Sequence, residues 1–422
     1  MSPELTAEVL YVALLFLLFV VPRFLQRYRI PSAVTALAFG AIAGMGAPWL
    51  GSTALINDPV VSVLSTLGIV SLFLFAGLDV QVLELRREAR VLIEHVLLGA
   101  LALALVAFLA VQVSPLFDYT LDKRPAVLVA LALMTPSTGF ILDSLGRWGL
   151  SENERFWIRS KAIATELVAL GVLFFILQST SWGKFGMSAI ALVAMIAVLP
   201  AVFRWFASAV IPHAPNSEFG FLMMVGAACA VITRILGVYY LVGAFAVGMA
   251  AQQFRNQLPA LASLRMLGAV ESFASLFVPF YFFHAGLELK AENFLWPALV
   301  LGVAMTALTL PLRLFKLAAH RRWRLGEKRA ASLRIGIPML PTTVFTLVIA
   351  QILRDVYFIP PTLFGGLIVY TLLNTLVPGL FLRASTPGFE DQLLIAGALS
   401  EQPATTPDTL PPGLKRIVEP PA

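Results

Sequence analysis

The chain has 422 residues, of which 59% are hydrophobic and 13% charged, and its net charge is +6. A water-soluble domain carries roughly a quarter charged residues, so this composition leaves too little polar surface for a protein of this length in water and excludes a cytosolic enzyme. The single cysteine, Cys229, forbids an intrachain disulfide and reads as a buried inert thiol, and the sequence contains no CxxC, HExxH or Gly-rich phosphate loop.

The expected class is an all-α membrane protein. A spanning helix needs about 20 mostly apolar residues. Thirteen segments approach or meet that length: residues 5–21, 31–48, 60–78, 91–113, 125–145, 156–178, 187–210, 219–236, 239–253, 266–287, 294–314, 331–353 and 361–382. The second and ninth are short and Gly-rich. The first has no basic residue before Arg23 and no small-residue cleavage pattern after its apolar run, so it reads as a retained helix with its amino end outside. On the topology that follows, only Lys123, Arg124, Lys184, Arg234, Lys290 and Arg354 fall on the outer side, and the other 24 of the 30 basic residues fall on the inner side. Positive charge collects on the cytoplasmic face of membrane proteins, so the excess is a topology signal and requires no nucleic acid. The chain is expected in a bacterial-type plasma (inner) membrane with a cytoplasmic carboxyl end. After Arg383 a tail (384–422) with seven prolines reads as disordered and too short for a regulatory nucleotide-binding domain.

Several polar features interrupt the apolar segments. The third segment ends in Ala76-Gly-Leu-Asp79, and the tenth ends in Ala285-Gly-Leu-Glu288, at an offset of 209. The fifth contains Met134-Thr-Pro-Ser-Thr138 and the twelfth Met339-Leu-Pro-Thr-Thr343, at an offset of 205, and Ala38-Phe39 and Ala244-Phe245 fit the same frame at 206. Partners seven helices apart run in opposite directions through the membrane, which gives inverted repeats, an architecture of many secondary transporters. Pro136 and Pro341 each remove a backbone donor near the middle of a helix. In hydrocarbon the freed groups need protein or water partners, and hydroxyl residues surround both breaks: Thr135, Ser137 and Thr138 at one, Thr342 and Thr343 at the other. Matched breaks of this kind point to a midplane substrate site.

In the sixth segment Glu166 stands inside a long apolar run, and no further charge follows it until Lys184. An intramembrane carboxylate costs several kcal/mol unless it is protonated, paired or wetted, so it is a functional candidate by default. Burial and a neighbouring cation act on such a group in opposite directions, which suits it to exchanging a proton for an alkali cation. Lys161 and Arg159 are expected to snorkel to the inner surface, with an approach to the ion path as the alternative for Lys161. Arg313 and Lys316, at the inner end of the eleventh segment, read as snorkelling residues, with an ion pair between Arg313 and Glu166 as the sharper alternative. Asp143 lies seven residues beyond Pro136 on the same helix face and is a candidate lining of the inner vestibule. His284 reads as an interior histidine, while Asp79 and Glu288 sit just past helix ends where solvation accounts for them.

These strings resemble the second branch of the monovalent cation/proton antiporter superfamily, which includes sodium/proton antiporters and glutathione-gated potassium efflux proteins. The resemblance spans most of residues 5–383. It is carried by Arg29-Ile-Pro-Ser with Phe39-Gly-Ala-Ile-Ala-Gly44, by Leu72-Phe-Leu-Phe-Ala-Gly-Leu-Asp79, and by Leu133-Met-Thr-Pro-Ser-Thr138 at the place of a broken helix. Val242-Gly-Ala-Phe-Ala-Val-Gly248 and Phe282-Phe-His-Ala-Gly-Leu287 complete it.

The resemblance implies an elevator fold with two crossed broken helices. It implies a core bundle (roughly 91–179 and 294–382) moving against a dimer-forming scaffold (roughly 1–80 and 219–287), joined by a linker helix (187–210). It places Thr165-Glu166 where relatives carry Asn-Asp, Gln-Asp or Asp-Asp, so Glu166 takes the ion-binding and proton-accepting position. Arg313 falls near the place of a basic partner. Two departures stand out: Glu replaces the usual Asp, and Pro136 stands where some relatives have a polar or acidic residue. The expected function is exchange of Na or K for protons, with no cofactor and no resident metal. The alternatives are a cation-coupled organic-anion symporter on the same scaffold and a non-transporting membrane sensor.

Overall fold

The computed structural model describes residues 3–50, 55–80, 82–117, 119–146, 148–179, 181–214, 217–237, 239–254 and 264–382. The Pro-rich tail and the side chain of Asp143, which sits on a helical backbone, lie outside the described residues. Among the described residues the fold is entirely helical. The helices are α1 (Pro3–Gln26), α2 (Ser32–Leu50), α3 (Pro59–Leu78), α4 (Val82–Arg87), α5 (Ala89–Val113), α6 (Lys123–Met134), α7 (Thr138–Leu145) and α8 (Glu152–Gln178). They continue with α9 (Trp182–Trp205), α10 (Glu218–Ile235), α11 (Tyr240–Gln253), α12 (Leu264–Leu287), α13 (Trp296–Leu325), α14 (Arg329–Gly336), α15 (Thr343–Tyr357) and α16 (Pro361–Phe381).

Ten described helices are long and apolar enough to cross a membrane, and eleven if the bent pair spanning Arg329–Met339 and Thr343–Tyr357 counts as one span. The second and ninth predicted segments fall on α2 and α11, which have 19 and 14 residues and fall short of that test. Local chemistry sets several ends. Asp58 caps α3, accepting from the Val60 and Val61 amides, and Ser151 with Glu154 forms a capping box on α8. Gly326, at φ 65°, closes α13 in the left-handed conformation that glycine adopts without strain.

Two groups of helices surround the site. Helices α2, α3, α11 and α12 pack by close backbone approach through small residues, because lipid supplies no hydrophobic drive and van der Waals contact must do the work. A Cβ at Gly77 would run into the Phe245 carbonyl of α11, and one at Gly248 into the Leu74 carbonyl of α3; Gly40 and Gly286 make the same reciprocal contact between α2 and α12. The two Ala-Gly-Leu strings thus use their glycines alike. The second group, α5, α6, α8, α13, α15 and α16, closes around the two interruptions, and residues 128–134 and 343–350 are all buried.

Candidate functional site

Both predicted breaks are present. α6 stops at Met134 and α7 starts at Thr138, while a short 3-10 turn (Ile337–Met339) ends the first half of the second broken helix and α15 begins at Thr343. The second pair is bent by 46°. The breaks meet: the Ser137 amide donates to the Pro341 carbonyl at 2.9 Å, and the Ser137 hydroxyl accepts from the Val344 amide at 3.2 Å.

In an unbroken helix each carbonyl is taken by the amide four residues on. Pro136 has no amide to offer Ala132, and the Thr346 hydroxyl serves that carbonyl instead at 2.7 Å. The Ser137 amide is diverted from Leu133, whose carbonyl accepts from the Tyr370 hydroxyl. The Val344 amide is diverted from Leu340, and the Arg313 guanidinium replaces it at 2.8 Å while also holding the Met339 carbonyl at 2.6 Å and the Tyr370 hydroxyl oxygen at 3.3 Å. Thr342 and Thr343 approach Thr371 and Thr375 of α16 at 3.5 and 2.6 Å. Thr135, Pro136, Ser137, Thr138, Pro341, Thr342 and Thr343 are all buried at this crossing.

Glu166 projects from the middle of α8 and is 1% exposed. Its carboxyl faces the hydroxyl and backbone amide of Thr138, at the first turn of α7. Yet Glu166 Oε2 and Thr138 Oγ1 have no hydrogen-bond partner among the described residues. These buried oxygens, beside the Thr138 amide at the amino end of α7, form a small polar site in apolar surroundings. A proton on the carboxyl or an alkali cation between the oxygens satisfies both.

The neighbouring polar residues are arranged differently from expectation. Thr165 turns away from Glu166: its hydroxyl donates to the Lys161 carbonyl at 2.8 Å and accepts from His95 Nε2 at 3.2 Å. Lys161 does not snorkel. It is fully buried because Trp157, His320 and Arg321 cover that part of α8, and its ammonium donates to His320 Nδ1 at 3.3 Å. His320 Nε2 in turn faces Glu94, which also pairs with Arg324 at 3.2 Å. Arg313 is 7% exposed and is held by the second break, and among the described residues no ion pair joins it to Glu166. Lys316 likewise points inward, lining a cavity of about 90 Å³ with Thr135 and Thr165.

Asp79 and Glu288 are not merely solvated. Asp79 pairs with Arg159 at 3.0 Å, and Glu288 pairs with Arg354 at 2.8 Å, with His284 Nδ1 a further 3.9 Å neighbour of Glu288. The sequence reading missed His95, His320, Glu94 and Asn374, the last fully buried on α16 with both amide atoms unpaired among the described residues. Adjacent titratable pairs, Glu94-His95 on α5 and His320-Arg321 in the basic end of α13, were the available signal for the first three.

Two cavities flank the site between the helix groups. One, of about 180 Å³, is bounded by Gly139, Phe140 and Val344 on the site side and by Leu72, Glu271 and Val278 opposite. The other, of about 410 Å³ near the far ends of α8 and α15, is bounded by Thr66, Tyr240, Tyr281, Glu288, Gln351 and Arg354.

Comparison with known proteins agrees with this geometry. The transmembrane sodium/hydrogen exchanger family matches over residues 13–385. A Na(+)/H(+) antiporter, NhaS5 of Synechocystis sp., is 25% identical over 353 residues, which is 81% of this chain and 48% of the relative, so the chain spans about half the length of that protein. In fold the chain is similar to the sodium proton antiporter MjNhaP1 of Methanocaldococcus jannaschii. Against its structure at pH 8 the TM-score is 0.64 with 14% identity, covering 90% of this chain and 96% of the other. Against an electron-microscopy structure of the same antiporter it is 0.59 with 15% identity, covering 96% and 100%. With the family matched from residue 13 to 385 and the crossed breaks of an antiporter fold around a buried carboxylate, the chain belongs to the sodium/hydrogen exchanger family.

Proposed function

We propose that the chain is a secondary antiporter that exchanges a monovalent cation, Na or K, for protons, with Glu166 holding one or the other in turn. The observation that carries this reading is the pair of unpartnered buried oxygens, Glu166 Oε2 and Thr138 Oγ1, beside the crossing of two broken helices. The competition is simple: protonation removes the charge that binds the cation, and bound cation displaces the proton. Thr135, Ser137, Thr342 and Thr343 hold the breaks open, Thr165 steadies α8 through His95, and Arg313 keeps the second break in shape. Family membership and the likeness to solved sodium proton antiporters support the same reading.

Alternating access follows if the second helix group, with the site, moves against α2, α3, α11 and α12, so that the two flanking cavities open in turn. Residues 91–179 and 294–382 form the moving body in this reading and the chain works as a homodimer in the plasma membrane, amino end outside. The deciding experiment is dye-reported proton movement from proteoliposomes on addition of Na, K or Li salts. Wild-type protein gives cation-dependent proton movement and Glu166→Gln gives none; full exchange by Glu166→Gln overturns the assignment.

A further inference from the structure

The two acids that end the matched Ala-Gly-Leu strings are each held by an arginine from the other helix group. Asp79 follows α3, and its Oδ2 lies 3.0 Å from Nε of Arg159 on α8. Glu288 follows α12, and its Oε2 lies 2.8 Å from Nη2 of Arg354 on α15, with Gln351 Nε2 at 3.3 Å from the same oxygen. α3 and α12 pack against each other. Late α3 (Leu72, Phe75) shares a cavity with early α12 (Glu271, Ser275), while early α3 (Ser62, Ser65) shares another with late α12 (Tyr281, His284). The helices therefore run in opposite directions, and the two acids stand at opposite ends of one body. The arginines, in contrast, sit on helices that carry the site: α8 bears Glu166 seven residues after Arg159, and α15 starts at the second break. Each pair therefore ties the site to the α3/α12 body, one pair near each face of the membrane.

We propose that Arg159–Asp79 and Arg354–Glu288 are a matched set of latches that position the ion site against the α3/α12 body, and that each opens for the site to reach its own side. This rests on the alternating-access reading above. The geometry suits the role. Displacing one helix past another by half a helical turn, about 2.7 Å, breaks an ion pair of this length. None of the four side chains is fully buried, at 14–34% exposure, so opening either pair strands no sealed charge and can recur in every cycle. The Arg354–Glu288 pair also forms part of the wall of the 410 Å³ cavity, where its opening widens access. Arg354 has a second acid, Asp355 Oδ1 at 2.8 Å, which keeps its charge satisfied when Glu288 leaves.

The test reads position rather than transport. In a Cys229→Ser background, Ser275→Cys reports the cavity beside Gly139 and Thr66→Cys reports the one beside Glu288, each labelled with a membrane-impermeant maleimide in purified protein. Asp79→Asn, or Arg159→Gln as a second variant, is expected to raise the Ser275→Cys to Thr66→Cys rate ratio a few-fold, the factor a partly exposed ion pair supports, and Glu288→Gln or Arg354→Gln to lower it by a similar factor. Reversing the charges, with Asp79→Arg and Arg159→Asp together, returns the ratio to the parent value. Ratios unchanged in monodisperse variants, shifts in one common direction, or a reversed pair that stays at the single-variant value each overturn the proposal. Labelling can be read equally in a Glu166→Gln protein, so failure of the latches and failure of the antiport assignment give different results.

Discussion

The backbone amide of Ser137 donates to the carbonyl of Pro341, joining the two interrupted helices at the point where each proline breaks its own ladder. The Ser137 hydroxyl then accepts from the Val344 amide, so a single residue partners backbone groups on both sides of the second break. Ser137→Ala leaves the Val344 amide buried without a partner, at a cost of about 1–3 kcal/mol. The expected outcome is a lower melting temperature in detergent and slower exchange together, with Ser137→Thr retaining most of both. Unchanged melting in Ser137→Ala would mean that the crossing is held elsewhere.

Arg313 supplies the donors that the second break lacks. Its guanidinium spans two carbonyls and a hydroxyl, which the single ammonium of a lysine cannot do in one plane. Arg313→Lys is expected to destabilise the protein by about 1–3 kcal/mol through the unserved carbonyls. If Arg313 acted instead as the counter-ion of Glu166, adding Glu166→Gln would relieve the loss. The structure predicts additive losses in the double variant, which thermal unfolding of the four proteins measures.

Much of this site is legible in the sequence because membrane burial makes polar residues conspicuous. Glu166 stands out as a charge in an apolar run, and Pro136 and Pro341 announce freed carbonyls that hydroxyl residues at the same offsets must serve. The role of Arg313 follows the same logic in retrospect, since a break needs donors as well as acceptors. Lys161 was less legible. A basic residue about two turns from a helix start reads as surface-seeking, and only the packing of Trp157, His320 and Arg321 over α8 keeps it from water. Which helices face one another at that depth is set by the Gly-mediated contacts and the crossing, neither of which a one-dimensional hydropathy pattern contains.

Glu166 and Thr138 define the reach of the site. Glu166→Asp withdraws the carboxylate from Thr138 by one methylene while keeping its charge. The expected result is exchange that persists but needs about ten-fold more cation for half-maximal rate, the consequence of losing about 1.4 kcal/mol of binding. Thr138→Val, which removes the hydroxyl and keeps the shape, raises the cation requirement in the same direction. Dye-reported exchange across a range of Na concentrations separates this from a uniform loss of turnover.

Gly77 and Gly248 face each other across α3 and α11, and an added methyl at either would meet backbone rather than a movable side chain. Gly77→Ala is expected to cost about 1–3 kcal/mol, the range for overpacking a tight contact. Gly171→Ala, where a Cβ meets open space within α8, is the control and does not lower stability. Melting temperatures of the purified variants decide between a close helix contact at Gly77 and an incidental glycine.

Asp58 links α1 to α3 outside the spans, and its ionisation predicts where acid loosens the fold. The Tyr11 hydroxyl donates to Oδ2 at 2.6 Å, and the Val60 and Val61 amides donate to Oδ1 at 2.7 and 3.2 Å. Partial burial works against the charge, but these three donors outweigh it, and they hold the carboxyl below the usual aspartate range. A carboxyl depressed in the folded state contributes stability above its unfolded pKa, near 3.9, and that contribution fades as pH falls through the lower folded value. Stability carried by this cap is therefore constant from neutral pH down to about 4 and declines below it. Asp58→Asn keeps one acceptor for the helix amides but has no charge to lose, so the part of the acid-induced fall in melting temperature that belongs to Asp58 disappears in that variant. Asp58→Ala loses the cap at every pH, lowering stability by about 1 kcal/mol at neutrality. Melting curves of the three proteins between pH 3 and 7 test both points, and an unaltered acid limb in Asp58→Asn would show that other carboxylates govern it.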